Sequence, residues 1–360
     1  MSYEIRPYQP GDEAGILDLY SQIYPHPRTP EQWAWEYRDT AAGSSIIYLV
    51  CKNSEIIGHY AIIPLPALCN GKNILLGKAE GAMIKPQERF IAARKGFVKE
   101  LVNRGRLDAF AGGIPVIFGF TSTPRDFVKA GFQEVGKLYA LQKDMPLKNR
   151  SKVWLKNKLG RTNDLLDVSL IEQVTNTMKL RSEIGKKGIE TALEPQMPAD
   201  VGSVSDDANM KTVLDVERNH DYLKWRYQRN PFVQATFISA RREGTMLGWM
   251  AVSIAGSELG TGYILDTCVG RESSDAVLYA LYQQAISYFK SHAVDHAICW
   301  HSEHPKDARM MDHFIRWGLR RRVHVINLVL QIDKQQVDPS FVIDTRNWSM
   351  SMALTEGRMG

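Results

Sequence analysis

The chain has 360 residues, 44% of them hydrophobic and 24% charged, with a formal net charge of +5. That length exceeds one ordinary core and points to two domains, each with enough apolar material to bury. A charge of +5 suits a small anionic ligand such as a nucleotide and is too slight to imply nucleic acid, so no nucleic-acid partner is expected.

The N-terminus, MSYEIRPYQPGDE, is polar where a secretory signal is apolar, and no run approaches the roughly 18 apolar residues of a membrane span. The four cysteines, at 51, 69, 268 and 299, form no close-spaced pair, which argues against a zinc site or a disulfide framework. The expected location is cytoplasmic.

The first copy of an internal repeat opens with WAWEYRD, Trp33 to Asp39. An apolar strand, a short polar turn and a second strand opened by Gly58 follow, in SSIIYLVCKNSEIIGHYAIIPL. A third strand, KAEGAMI, then precedes a helix whose apolar face carries Phe97, Val98, Leu101 and Val102. The strand PVIFGF, a short helix ending in AGF and a closing strand, GKLYALQK, complete it. The order returns after YLKWRYQRNP, Tyr222 to Pro231: a hairpin with Gly248, the strand GYILDTCV, a helix with Val277, Leu278, Leu281, Ala285 and Phe289, the strand HAICW, a short helix ending in WGL, and VHVINLVLQI. Trp35 to Gly58 and Trp225 to Gly248 are both 23 positions apart, a spacing that a chance match does not reproduce element after element.

These signals predict an N-terminal domain over 1–145, a connector over 146–205, a second domain over 206–335 and an irregular tail over 336–360. The connector begins LKNRSKVWLKNKLGR, with six Lys or Arg between 148 and 161, and ends in a loop-like PQMPADVGSVSDDAN. It reads as a solvated linker; the sharper reading is a basic amphipathic helix making peripheral contact with an anionic membrane. The histidines of WHSEHP, at 301 and 304, lack a third convergent metal ligand, and no metal site is expected.

The element order resembles the GNAT acyltransferase superfamily: α/β, two tandem GNAT-like domains, each a mixed, mostly antiparallel sheet flanked by helices. The resemblance rests on IKPQER (84–89), similar to the entry of the cofactor helix, and on FGFTSTPRDFVKAGFQEVG, similar to the fifth strand and its helix. The paired W-x-Y segments and FVIDTRNW (341–348) resemble a bacterial tandem subgroup often found with surface-polysaccharide genes. It implies an acetyl-CoA-dependent N-acyltransferase acting on a primary amine of a small molecule or amino sugar. The implied cofactor-binding residues are Met83, Ile84, Arg89, Ala92, Ala93, Arg94 and Lys95. Ala92 stands for the family's first glycine and Arg94 for its second small residue.

For the chemistry, the resemblance makes Glu80 of KAEGAMI the candidate base, with His59 as runner-up. The family's proton-donating tyrosine falls on Phe127, which cannot donate, leaving Ser122 as a candidate; Ser122-Thr123-Pro124 also reads as a helix N-cap. In the second copy, Glu272 and Asp275 would repel phosphate, so no CoA is expected there. Two other classes stand beside this reading: a tRNA-dependent aminoacyltransferase of the tandem type, whose inserted helical hairpin is not visible, and a non-catalytic GNAT-like binding protein.

Overall fold

The computed structural model describes residues 2–145, 168–208, 214–255, 260–270, 275–302 and 305–354; the basic segment 148–161, Glu272, Glu303 and His304 lie outside them. Along the chain run β1 (Tyr3–Pro7), α1 (Glu13–Ser21), α2 (Pro30–Trp33), β2 (Ile46–Lys52), β3 (Glu55–Cys69), β4 (Lys72–Ile84), α3 (Arg89–Lys95), α4 (Phe97–Ala111), β5 (Val116–Thr121), α5 (Pro124–Lys129) and β6 (Gln133–Asp144). They continue with α6 (Val168–Lys186), β7 (Glu190–Glu194), α7 (Val201–Ala208), β8 (Leu214–Val216), α8 (His220–Leu223), β9 (Ala235–Arg242), β10 (Thr245–Ala255) and β11 (Thr261–Val269). The series closes with α9 (Asp275–Ser291), β12 (His296–His301), α10 (Pro305–Arg316), β13 (Arg320–Ile332) and α11 (Pro339–Ile343). No helix among the described residues is long and apolar enough to cross a membrane.

Two compact units emerge. The first holds Met1–Leu138, Met210–Phe232 and Val325–Ser349, the second Tyr139–Asn209, Val233–His324 and Met350–Gly360. In the first, β1, β2, β3 and β4 are antiparallel neighbours, β4 runs parallel to β5, and residues 327–332 of β13 lie antiparallel to β5. In the second, β7, β9, β10 and β11 are antiparallel neighbours, β11 runs parallel to β12, and β12 lies antiparallel to residues 139–144 of β6. Each is a mixed, mostly antiparallel sheet with the same strand order.

The repeat holds down to single irregularities. The first hairpin of each copy turns through two left-handed residues, Asn53-Ser54 and Glu243-Gly244. Just beyond it a register shift precedes Gly58 in one copy and Gly248 in the other. The equivalents of α1 and β1 in the second copy are α7 and β7; β7 lies inside the segment expected to be a connector and α7 begins there. The second copy therefore begins before residue 206. Val201 and Val204 are buried, so the stretch expected as a loop carries a core-facing helical turn.

Two further expectations change. Each closing strand completes the other copy's sheet, so the units are not the contiguous blocks 1–145 and 206–335. The tail is not irregular throughout: α11 leads to Trp348, which is buried, donates its indole N–H to the Val342 carbonyl at 2.7 Å and meets the Phe118 ring at 6.0 Å.

The paired tryptophan motifs meet inside the first unit. Thr29 caps α2 and Asn219 caps α8, and each helix passes into a π-type turn, Ala34–Arg38 and Lys224–Gln228. The Trp35 and Trp225 rings stack at 4.9 Å between centroids. The Trp35 indole N–H donates to the Trp225 carbonyl at 2.8 Å, and the Trp225 indole returns the bond to the Trp35 carbonyl at 2.9 Å.

Candidate active site

A parallel strand pair that parts creates the site. β4 and β5 are in register only from Leu76–Lys78 against Val116–Phe118, and toward their C-terminal ends they diverge. At that end a cavity of about 690 Å³ is lined by Ala82, Met83 and Ile84 of β4, by Thr123, Asp126, Phe127 and Lys129 around α5, and by Arg89, Ala92 and Ala93 of α3. Gly96, Val98, Lys99, Val102 and Ala130, together with Ile23 and Tyr24 of the loop after α1, complete it. A cleft of this size with a few convergent polar groups is what a small-molecule site requires.

The helix that borders this cavity does not start where the sequence motif placed it. The run from Arg89 breaks at Gly96, whose φ of +70° is left-handed, and the 15-residue α4 begins afresh at Phe97. Glycine takes that conformation without strain. An added Cβ at Gly96 would meet no atom within 4 Å, so the turn faces open space. The first N–H groups of α4 lack intrahelical acceptors, and the helix dipole favours an anion beside them. Leu101, Val102 and Ala109 of α4 are buried, and an added Cβ at Gly105 would come within 3.1 Å of the Tyr60 ring, which shows how closely the helix lies on β3.

Of the expected cofactor residues, Met83, Ile84, Arg89, Ala92 and Ala93 line the cavity. Arg94 and Lys95 are exposed and do not, and the Lys95 ammonium lies 5.0 Å from the centroid of the Tyr3 ring. The cations that do line it are Arg89, Lys99 and Lys129. Gly96 and Lys99 were missed because the alignment to P-x-x-R counted onward from Arg89. The signal that could have found them was Gly96 itself, a helix-ending glycine just before the apolar run from Phe97.

The candidate catalytic residues fare differently. Glu80 stands just before an irregularity in β4, with the Lys78 ammonium 2.7 Å from its Oε2; both side chains are largely buried. It is half of an ion pair rather than a carboxylate alone in an apolar strand, and it is not among the residues lining the cavity. Ser122 is exposed in the turn after β5 and also lies off the cavity wall. The N-cap position of α5 belongs to Thr123, whose N–H donates to Thr121 Oγ1 at 3.0 Å. Phe127, at the family's tyrosine position, does line the cavity.

His59 is fully buried. Its Nδ1 lies 2.7 Å from the Gly81 carbonyl, and the Tyr37 ring meets it edge-on at 5.4 Å. A carbonyl oxygen can only accept, so Nδ1 carries the proton. Burial, and to a smaller degree the nearby Arg28 cation, bring its pKa down to about 4, against the weaker raising effects of the Gly81 bond and Glu80. A histidine neutral at physiological pH and shut from the cavity is not placed to collect a substrate proton.

This depression has a consequence for stability. Between pH 6.5 and 4 the unfolded chain protonates at His59 while the folded chain does not, so the stabilisation is complete above about pH 6.5 and is lost as pH falls toward 4. At pH 5 the loss is about 2 kcal/mol. Urea denaturation of the wild type and His59→Asn at pH 7.5 and 5 is expected to show the wild type's advantage shrinking by about that amount. An advantage independent of pH would mean that His59 titrates normally in the folded chain.

The cavity wall also carries a group that sequence reasoning passed over. Tyr24, half-buried and stacked on Tyr20 at 4.4 Å, brings a phenol to the same space as Phe127. It lies in a loop between two helices, where no periodic pattern or family motif marks it. In the second unit, Asp275 in the first turn of α9 pairs with Arg309 at 2.6 Å and His313 at 3.3 Å, and Asp266 is buried with Oδ1 accepting the Thr267 N–H at 3.1 Å. A carboxylate therefore stands at the helix start that corresponds to α4. Among the described residues no three His, Cys, Asp or Glu side chains converge as a metal site.

The model of the acetyltransferase (GNAT) domain family matches residues 4–135. Among solved structures, a GCN5-related N-acetyltransferase from Anabaena variabilis ATCC 29413 is similar at a TM-score of 0.62 and 11% identity, with 92% of this chain and 73% of that one covered. A conserved protein from Enterococcus faecalis V583, described as a probable N-acyltransferase, gives 0.61 and 12% with the same coverage. A tandem GNAT protein from the clavulanic acid biosynthesis pathway gives 0.57 and 11%, with 92% of this chain and 98% of that one covered. A comparison with curated protein sequences returned no match. At such identities the solved structures establish the fold.

Proposed function

We propose, for a chain whose residues 4–135 match the GNAT acetyltransferase domain family, that the cavity of the first unit takes acetyl-CoA and that its acetyl group passes to a primary amine of a small molecule or amino sugar. The observation that carries this reading is the cavity at the parting of β4 and β5, where the start of α4 at Gly96 joins the cations Arg89, Lys99 and Lys129. Unpaired helix N–H groups and cations on one wall suit a pyrophosphate, and the apolar wall of Met83, Ile84, Val98 and Val102 suits the arm that follows it.

Bound there, acetyl-CoA supplies an activated acyl carbon, at which a C–N bond to the amine forms and the C–S bond breaks. Two protons move. The one lost by the amine leaves through water to solvent, since Glu80 is ion-paired with Lys78 and lies off the cavity wall. Tyr24 gives its phenolic proton to the departing sulfur and is reprotonated from solvent. Phe127 contributes only shape.

The phosphate assignment is tested by charge reversal. Lys99→Glu or Arg89→Glu is expected to weaken acetyl-CoA binding by about 1–3 kcal/mol in a calorimetric titration. Arg94→Glu, off the cavity wall, should leave affinity near wild type. If Arg94→Glu weakens binding as much as Lys99→Glu does, the phosphates sit on α3 instead.

A further inference from the structure

The β3–β4 ladder breaks where β4 reaches the cavity. His59 pairs with Met83 and Ala61 with Glu80, so Gly81 and Ala82 of β4 face Tyr60 alone across the break. The pairing with β5 has already ended at Lys78. Gly81 and Ala82 therefore have no register partner on either side, and Ala82 is exposed on the cavity wall. A bulge of this kind re-aims the backbone and leaves polar groups that something else must satisfy.

His59 fills that need for Gly81. Its Nδ1–H donates to the Gly81 carbonyl at 2.7 Å from a ring that is wholly buried. The ring is held in turn: Tyr37 meets it edge-on, the Tyr37 hydroxyl accepts from Arg28 Nη1 at 3.2 Å, and Arg28 is ion-paired with the buried Glu36. Gly81 has a φ of +60°, and an added Cβ would come within 2.8 Å of the Tyr37 hydroxyl oxygen and 3.0 Å of the His59 ring. The bulge is built around these two side chains. The Gly81 N–H is already engaged by Glu80 Oε1 at 3.3 Å, whereas Ala82 is the bulge residue that opens onto the cavity.

We propose that His59 is a positioning residue: its bond to the Gly81 carbonyl fixes the β4 bulge so that the Ala82 backbone N–H is presented to the acyl carbonyl oxygen in the cavity. This rests on the acyl-transfer reading above. A donor fixed in advance stabilises the negative charge that develops on that oxygen as the amine attacks, and it costs no reorganisation at that moment. His59 touches no substrate. It acts through the bulge, so it can do so from a fully buried ring.

Two variants separate this role from mere packing. Asparagine places its amide N–H₂ near the Nδ1 position, while glutamine places it near Nε2. His59→Asn is expected to keep the Gly81 bond and hold kcat within a few-fold of wild type. His59→Gln is expected to lower kcat about 10²-fold, the cost of a misplaced reacting geometry, with the acetyl-CoA dissociation constant within about threefold of wild type. Amide NMR supplies a readout that needs no turnover: Gly81 and Ala82 resonances should move in His59→Gln and stay in His59→Asn. If the two variants lose kcat alike, in step with their melting temperatures, His59 is only a core residue. Should His59→Gln not fold, the ring nitrogens of the wild type decide, since an unprotonated Nδ1 overturns the proposal. Wild-type protein that binds no acetyl-CoA would sink the acyl-transfer reading instead, and the amide shifts would still report whether His59 holds the bulge.

Discussion

Trp225→Ala is expected to destabilise the first unit by about 3–5 kcal/mol, the range for deleting a buried tryptophan side chain. The residue is 6% exposed, its ring stacks on Trp35, and its removal deletes one of two reciprocal indole-to-carbonyl bonds while leaving the Trp35 face over a cavity. Phe232 already packs edge-on against Trp35 at 5.6 Å, and Arg226 lies 6.0 Å from the Trp35 ring centroid. Trp225→Phe should recover part of the loss, because it keeps a ring for stacking and gives up only the indole N–H. The double variant Trp35→Ala with Trp225→Ala should cost less than the sum of the single changes, since each removes the other's partner. Urea denaturation of the four proteins measures this. Additive losses would mean that the two tryptophans are held separately.

Tyr24→Phe is expected to lower turnover about 10²- to 10⁴-fold and leave acetyl-CoA affinity nearly unchanged, the pattern of a group used only as the C–S bond breaks. Apart from the Asp126 carboxyl group, the cavity wall offers few acids. Thr123 is an alcohol too weak to give up a proton, and Lys99 and Lys129 belong to the cationic wall that suits phosphate. Tyr24 is the phenol on that wall. The assignment has an internal control: Phe127→Tyr, made in the Tyr24→Phe background, returns a hydroxyl to the same cavity from α5 and should restore much of the lost turnover. Unchanged kcat in Tyr24→Phe would give the proton to solvent and remove Tyr24 from the chemistry.

The sequence carried the repeat clearly, because each hairpin has period-2 apolar residues around a polar two-residue turn and each third strand leads into an amphipathic helix. Partner choice was another matter. GKLYALQK and VHVINLVLQI both read as closing strands, yet alternation says only that a strand has a buried face and nothing of which edge it joins. The exchange of β6 and β13 between the sheets therefore left no mark. β7 and α7 are five and eight residues long, too short for periodicity to separate them from a linker. At the site, the strand bearing Glu80 and the helix approach with Arg89 were legible from their motif, and the β4 end did prove to line the cavity. Lys78 stands two residues before Glu80, and strand alternation puts those two on one face, so the sequence already implies the ion pair. His59 looked like a base because histidine titrates near neutrality, and only its complete burial against the Gly81 carbonyl shows otherwise.

A crystal structure of the chain grown with acetyl-CoA tests the account most directly. The pyrophosphate is expected beside the first turn of α4, within hydrogen-bond reach of the backbone N–H groups after Gly96 and of Lys99. The thioester should lie between the parted ends of β4 and β5, with its carbonyl oxygen about 3 Å from the Ala82 nitrogen and its sulfur toward Tyr24. Acetyl-CoA bound anywhere else, or lying in this cavity with its phosphates on Arg94 and Lys95, would contradict it.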